Sequence, residues 1–346
     1  MTARERNRKL VDIQSLNTLI DRFEGTSVSI VGDLILDRYV WGKVERISPE
    51  APVVVVQVTE ENERLGGAGN VAHNLSTLGA KISVCGVIGD DEAGHATIKL
   101  VEGLGGKASG IIVDKSRKTT IKTRVIAHSQ QVVRVDREMT DPLAANVGAA
   151  LASAVAKELS QTKGVIVSDY AKGTITPEVF SVFDDGYRTG VLGKGKVPVL
   201  VDPKGPNFGL YSRATIVKPN RKEAEAAAGM AIIDRPSGIV AGRKLMERWG
   251  SEMILVTMGE MGMVLVGEEG VPEQNVEVET VAREVFDVSG AGDTVAAVFL
   301  LSLAAGGTPR EAALLSNYAA GIVVAEVGTV AVTASELRAV VNEEIE

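Results

Sequence analysis

The chain has 346 residues, 45% hydrophobic and 24% charged, the balance of a soluble globular protein of one large or two smaller domains. Its formal net charge of -8 argues against general nucleic-acid binding, while leaving room for a local basic pocket. Cys85 is the only cysteine and His73, His95 and His128 the only histidines, so an intrachain disulfide and a thiolate zinc cluster are excluded and a histidine-rich metal centre is disfavoured.

Met1 to Leu10 is basic but leads into no apolar core, so it does not read as a secretory signal. Residues 1–26 are expected to form an extension with a helix. Val28 to Val31, ending in Gly32-Asp33, has the pattern of a first buried strand. Val40 to Val44 and Val53 to Val58 read as strands joined by the turn-rich Ser48 to Pro52. Ala68 to Leu78 is helix-like and closes at Gly79; Ile82 to Ile88 reads as a strand and Ala93 to Leu104 as a helix. Thr119 to Ala127 and Val132 to Val135 alternate as half-exposed strands.

From there the rhythm is regular. Pro142 to Leu159 reads as helix, Gly164 to Ser168 as strand, Pro177 to Arg188 as helix, and Val197 to Val201 and Thr215 to Val217 as strands. Arg221 to Ala228 and Gly238 to Trp249 read as helices, and Met253 to Thr257 and Gly262 to Val266 as strands. Thr294 to Ala305 and Pro309 to Val327 read as the last helices, and the apolar run at Val295 to Ala305 is too short to span a bilayer. Strands alternating with helices predict an α/β fold with a doubly wound, mostly parallel sheet. The early strands without intervening helices do not fit that sheet and predict a small β lid, with strands from about 38–60 and 118–136. A cytoplasmic enzyme, with no nucleic-acid or membrane partner, is the expectation.

Asp287-Val288-Ser289-Gly290-Ala291-Gly292-Asp293 is the most informative stretch. Small residues at a helix start let the N–H groups of Gly290, Ala291 and Gly292 converge on an anion, helped by the helix dipole. An aspartate there would repel an anion, and proton removal from an attacking hydroxyl is a reason to keep Asp293. A plain aspartate cap after a glycine turn accounts for the same spacing. Asn220 and Glu223, directly after a predicted strand, could hold a hydrated magnesium ion, and equally could form a capping box. Gly66-Gly67-Ala68-Gly69-Asn70-Val71-Ala72 matches the dinucleotide fingerprint at Gly67, Gly69 and Ala72, but charged Glu60, Glu61, Glu63 and Arg64 separate it from Val58. The glycines suit a sugar lying close to the backbone, with Asn70 bonding a hydroxyl; a packing role also remains open. Asp33 and Asp37 are candidates for sugar hydroxyls, and Arg38, Lys122, Arg124, Arg134, Lys172 and Lys204 for phosphate. Asp169 and Asp202 also fall at strand ends, where sites gather.

Together these motifs resemble the PfkB, or ribokinase-like, carbohydrate kinases over about Ser27 to Thr333, within a kinase domain expected to span 27–340. Gly66 to Gly79 resembles the family's first signature, and Asp287 to Asp293 its second, D-T-x-G-A-G-D, with Val288 where threonine is usual. Asn220 to Glu223 is similar to the N-x-x-E magnesium motif. Gly32 to Tyr39, Arg46 to Val53, Arg64 to Ala72 and Ser168 to Gly173 resemble the branch that phosphorylates a heptose 7-phosphate at its anomeric hydroxyl, a step toward ADP-heptose and the lipopolysaccharide inner core.

The resemblance implies ATP as co-substrate, Mg2+, Asp293 as base, and Asp33, Asp37, Arg38, Gly66, Gly67, Asn70, Asp169 and Lys172 around the sugar. It places Lys122 and Arg134 as candidates for the 7-phosphate, and Thr257, Gly259 and Asn317, with Asn220 and the loop glycines, at the nucleotide. Asp287 would help bind a monovalent cation, K+. A homodimer through the lid is implied, as is a separate nucleotidyltransferase acting downstream, since the H-x-G-H motif of the two-function relatives is absent from these residues. Another sugar or sugar-phosphate kinase, a nicotinamide-dependent oxidoreductase built on Gly67, Gly69 and Ala72, and a non-catalytic sugar-binding module are the alternatives.

Overall fold

The computed structural model describes residues 11–128, 130–193, 196–281, 287–326, 328 and 330–343. The basic segment at 1–10 therefore lies outside the described residues. A first helix, α1 (Ile13–Asp21), is capped by the Asp12 carboxylate, which accepts from the Ser15 N–H at 3.2 Å. Strand β1 (Ser27–Gly32) then enters the centre of a nine-stranded sheet.

The chain leaves that sheet at once. β2 (Leu34–Ile47) and β3 (Val54–Gly67) form a long antiparallel hairpin before α2 (Ala68–Thr77) returns the chain to β4 (Lys81–Gly89). After α3 (Glu92–Gly103) and β5 (Lys107–Asp114), a second excursion adds β6 (Thr120–Ala127) and β7 (Gln130–Arg137). These four strands make a separate sheet in the order β3-β2-β6-β7, with β2 and β6 parallel and the outer pairs antiparallel. The expected lid is present, with longer strands than the sequence predicted. Glu60 to Arg64, read as a charged connection, belong to β3.

The body continues through α4 (Ala145–Leu159), β8 (Gly164–Ser168), α5 (Pro177–Arg188), β9 (Val199–Asp202), β10 (Ile216–Val217), α6 (Arg221–Ala228) and α7 (Arg235–Trp249). β11 (Met253–Thr257), β12 (Met263–Val266), β13 (Val276–Val278), α8 (Ala291–Ala304), α9 (Pro309–Val323) and α10 (Ala334–Glu343) complete it. The main sheet runs β13-β12-β11-β10-β9-β8-β1-β4-β5, parallel except where β12 and β13 turn back antiparallel. Alternate residues feed opposite layers. Val165 and Val167 of β8 join a core with Phe183, Leu151 and Trp249, while Ile166 joins one with Phe299, Leu75 and Phe23. Burial on both faces explains why these strands are continuous apolar runs.

Some elements differ from expectation. β5, β13 and α10 were not anticipated; α4 starts at Ala145 rather than Pro142, and α9 stops at Val323, with residue 327 of its expected end outside the described residues. Helix α8 begins at Ala291, so Asp293 lies inside its first turn. Residues Asp293 to Ser302 are all buried, which makes α8 a core helix. Among the described residues no helix is long and apolar enough to cross a membrane.

The strand order reverses between β1 and β8, since the chain moves from β1 to β4 on one side and from β8 to β9 on the other. Ligands of such sheets sit in the crevice beyond the strand ends at this point. Gly32 is required there, because any side chain would run into the Ser168 carbonyl. Both excursions to the lid leave from this end of the sheet, which sets the lid over the crevice.

Candidate active site

Asp293 is 4% exposed and held from two sides. Asn70 Nδ2 donates to its Oδ2 at 2.8 Å, and the Tyr170 hydroxyl donates to its Oδ1 at 2.7 Å. Burial pushes its carboxyl up to about 6, with Asp202 adding to the shift while the bonds from Asn70 and Tyr170 oppose it. Tyr170 is itself pushed well above its ordinary value by burial and by Asp293, so it stays a donor. Asn70 Oδ1 is buried without a hydrogen-bond partner, an acceptor left over beside the aspartate. One turn further along α2, Asn74 donates to the Asn70 carbonyl at 3.0 Å and accepts from the Thr294 hydroxyl at 3.0 Å. The i, i+4 spacing thus fixes α2 against the start of α8.

The glycine turn before α8 places Gly290 at φ 82, a left-handed conformation that glycine adopts without steric cost. The Ala291 N–H points to the Val288 carbonyl at 3.3 Å, so of the expected anion-hole donors it is already engaged. The N–H groups of Gly292 and Asp293 lie in the first turn, where a helix supplies no acceptor of its own. Lys218 reaches the same place. A methyl on Gly292 would lie 3.6 Å from Lys218 Nζ, and that lysine is 2% exposed and 3.0 Å from Asp202 Oδ1. Neither Tyr170 nor Lys218 stands out in the sequence as a site residue. The only local signal is that each lies just beyond a buried strand, Lys218 directly after β10 and Tyr170 with one residue between it and β8.

Asp33 lies at the strand reversal and is 1% exposed. Its carboxylate accepts from the N–H groups of Tyr170 at 2.7 Å, Lys172 at 3.1 Å and Thr174 at 3.2 Å. It therefore shapes the loop that carries Tyr170. Asp169 lies beneath that loop, accepting from Asn207 Nδ2 and the Tyr211 hydroxyl, both at 2.7 Å, and from the Ala171 N–H. Burial and then neighbouring Asp33 raise its carboxyl to about 6. Its oxygens serve the protein's own packing.

Asn220 and Glu223 form the capping box of α6. The Asn220 side chain accepts from the Glu223 N–H at 3.0 Å, and Glu223 Oε2 accepts from the Asn220 N–H at 3.0 Å. Glu223 Oε1 is also 2.7 Å from Lys204 Nζ. Among the described residues no group of three or more acidic, histidine or cysteine side chains could hold a metal ion directly. These residues fit an ion that arrives with a nucleotide's phosphates and is held through its water shell. Thr257 is bridged to Asn220, and its N–H donates to the Pro219 carbonyl at 3.1 Å. Gly259 follows at φ 60 in open space, while the Asn317 amide donates to the Glu279 carbonyl at 2.9 Å. Asp287 accepts from the N–H groups of Ser289 at 2.8 Å and Gly328 at 3.0 Å. Burial would raise its carboxyl, but these bonds win and hold it below the usual range.

The lid brings a second set of charges. Asp37 pairs with Arg124 at 2.6 Å, and Gly66 is forced to be small because a methyl there would lie 2.6 Å from the Asp37 carboxylate. Gly67 takes φ 57 as the chain turns into α2. Lys122 lies 3.1 Å from Asp136, Arg134 lies 2.9 Å from the same carboxylate, and Lys172 lies 2.8 Å from Glu138. Arg38 points elsewhere. It is on the opposite face of β2 from Asp37 and pairs with Glu63 at 2.6 Å, so the structure does not bring it to the other candidates.

A doubly wound sheet with a β lid, and a buried aspartate at a glycine-turned helix start beneath it, define a carbohydrate kinase of ribokinase-like architecture. The chain belongs to the pfkB family of carbohydrate kinases, whose model matches residues 26–336. It is 46% identical over 327 residues to the bifunctional protein HldE of Pelobacter propionicus, and 45% identical over 334 residues to that of Trichlorobacter lovleyi. These matches cover 94% and 96% of this chain but 65% and 66% of the relatives, so the chain spans just under two thirds of their length. Phosphofructokinase-2 from Escherichia coli in complex with fructose-6-phosphate superposes with a TM-score of 0.74 at 15% identity, covering 93% of this chain and all of that one. Arabidopsis thaliana ribokinase complexed with ribose and ATP gives 0.69 at 17%, covering 92% and 99%. These two likenesses concern the fold. A lid strand ending in Gly66-Gly67, rather than a central strand, precedes α2, so the dinucleotide fingerprint lacks its structural context.

Proposed function

We propose that this carbohydrate kinase phosphorylates D-glycero-β-D-manno-heptose 7-phosphate at its anomeric O1, giving the 1,7-bisphosphate that leads toward ADP-heptose. The observation that carries the kinase chemistry is Asp293, buried, doubly held and raised to about 6 at the start of α8. A carboxyl tuned toward neutrality is suited to general-base work. The heptose phosphate rests on the likeness to the HldE proteins along nearly the whole chain.

In this reading Asp293 takes the proton of the anomeric hydroxyl as its oxygen attacks the γ-phosphorus of ATP; the bond to the β,γ-bridging oxygen breaks and ADP departs. The first-turn N–H groups of α8 and the Lys218 ammonium face the charge that spreads over the phosphoryl oxygens. Asn70, whose Nδ2 serves Asp293, offers its unpartnered Oδ1 to a sugar hydroxyl. Lys122 and Lys172 are the cations best placed for the 7-phosphate. Magnesium would neutralise the nucleotide's phosphates, with Glu223 holding its water shell. Asp287 would help hold a K+ ion in the same reading, since each of its oxygens accepts one N–H bond and keeps a lone pair, and no step is assigned to that ion.

A homodimer through the lid belongs to the same reading, supported by the apolar side chains the lid leaves in the open. Work in the cytoplasm belongs to the same reading. The test is ADP release from ATP and Mg2+ with β-heptose 7-phosphate, fructose 6-phosphate, fructose 1-phosphate and ribose. Selective turnover of the heptose phosphate, lost in Asp293→Asn, is expected; turnover of another sugar alone would overturn the substrate and keep the base.

A further inference from the structure

The geometry points to Glu138 as a displaceable counter-ion that occupies the place of the substrate's phosphate and sets how tightly that phosphate binds. This rests on the sugar-phosphate reading above, and deepens it by naming a specificity-determining residue. One oxygen, Glu138 Oε2, lies 2.8 Å from Lys172 Nζ and 3.6 Å from Lys122 Nζ. A single anionic oxygen shared by two ammonium groups is what a bound phosphate oxygen would present. The two lysines come from different parts of the fold. Lys122 stands on lid strand β6, while Lys172 sits in the body loop whose N–H groups bond Asp33. The anion between them ties lid to body.

The surroundings suit exchange. The lysine side chains are 17% and 16% exposed, whereas Glu138 is 30% exposed, so the carboxylate is the member that can swing out into water. The backbone on both sides stays fixed as it does so. Arg117 donates to the carbonyls of Met139 at 3.3 Å, Asp141 at 3.0 Å and Lys172. Charge also balances better with phosphate in place. Lys122, Lys172 and Arg134 face Asp136 and Glu138, which leaves one positive charge in excess. With Glu138 released and a phosphate dianion bound, the three cations are matched by Asp136 and the dianion. The Lys172 bond holds the Glu138 carboxyl below its ordinary value, so the competitor is ionised throughout the neutral range.

The test is calorimetric binding of inorganic phosphate, and of β-heptose 7-phosphate, to the full chain with Mg2+ and a non-hydrolysable ATP analogue filling the nucleotide site. Glu138→Gln is expected to tighten phosphate binding about two- to fivefold, the range of a partly exposed ion pair, and the gain should shrink as salt is raised. Glu102→Gln, which removes an exposed charge on α3, should leave it unchanged, and Lys172→Gln should weaken it. Glu138→Ala, with melting curves for each variant, provides the same readout if the glutamine side chain makes new bonds. Unchanged or weaker phosphate binding in both folded Glu138 variants would overturn the proposal. Tighter phosphate binding in those variants, with no turnover of heptose 7-phosphate by the wild type, would retain Glu138's role and defeat only the substrate assignment.

Discussion

In the proposed function Asp293 is the base, and its environment fixes the predictions at this scale. Asp293→Asn is expected to keep the fold and nucleotide binding while losing roughly 10²–10⁴-fold in turnover, read by ADP release at saturating substrates. In the wild type, turnover should fall as pH drops through about 6, because the base is then protonated. The same shift has a stability consequence of definite sign. The folded carboxyl sits above its ordinary 3.8, so its contribution to stability is fully present below 3.8 and is lost as pH rises through about 6. An asparagine does not titrate. The stability of Asp293→Asn relative to wild type should therefore rise between pH 4 and pH 8, by up to about 3 kcal/mol, in denaturant titrations. No change in that difference with pH would mean the carboxyl is not raised by burial.

At the scale of elements, the turn from β3 into α2 links the lid to Asn70 and, through it, to Asp293, and glycine controls it. Gly67 has φ 57, and a methyl there would lie 2.6 Å from the Asp33 carbonyl oxygen. Gly67→Ala should cost about 2–4 kcal/mol in urea unfolding, from the left-handed backbone and the backbone clash together. Elements of this kind differ in how legible they are. The buried strands β8 and β11 are continuous apolar runs, and β1 is broken only by Ser29, because both faces are covered, so their presence and rough position follow from the sequence. β5 opens with Lys107-Ala108-Ser109-Gly110 at the sheet's edge, and its mixed pattern hides it. The second half of β3 is hidden differently, since Glu60, Glu61, Glu63 and Arg64 are charged yet sit in a strand at exposed or half-buried positions that accept charge. In the site, Asp293 and the glycine turn lie in one contiguous stretch and can be read directly. Tyr170 and Lys218 cannot, because each matters only once the ends of β8 and β10 converge on the start of α8.

For the whole molecule, the lid poses a question the body does not. Its order β3-β2-β6-β7 leaves β3 and β7 as edges, and open edges invite pairing with another chain. Every residue of β7 is exposed, including Val132, Val133 and Val135 at 42%, 47% and 56%. Ile47, Val53, Val54 and Val58 of the hairpin are 69%, 57%, 45% and 48% exposed. Single apolar side chains on a surface are ordinary, but seven on one small sheet suit the contact that the proposed homodimer needs. In β7 the pattern is directional: Arg134 and Asp136 turn toward Lys122, so Val133 and Val135 occupy the other face. If two lids pair there, Val133→Asp buries a charge in the interface, and sedimentation should report a monomer where the wild type is a dimer. The body, with its separate core, should keep its melting transition. The Michaelis constant for the sugar should rise more than turnover falls, because a lid without its partner still carries Asp37 and Arg124 but holds them less firmly. A wild type that sediments as a monomer at assay concentrations would show instead that the lid covers the site unaided.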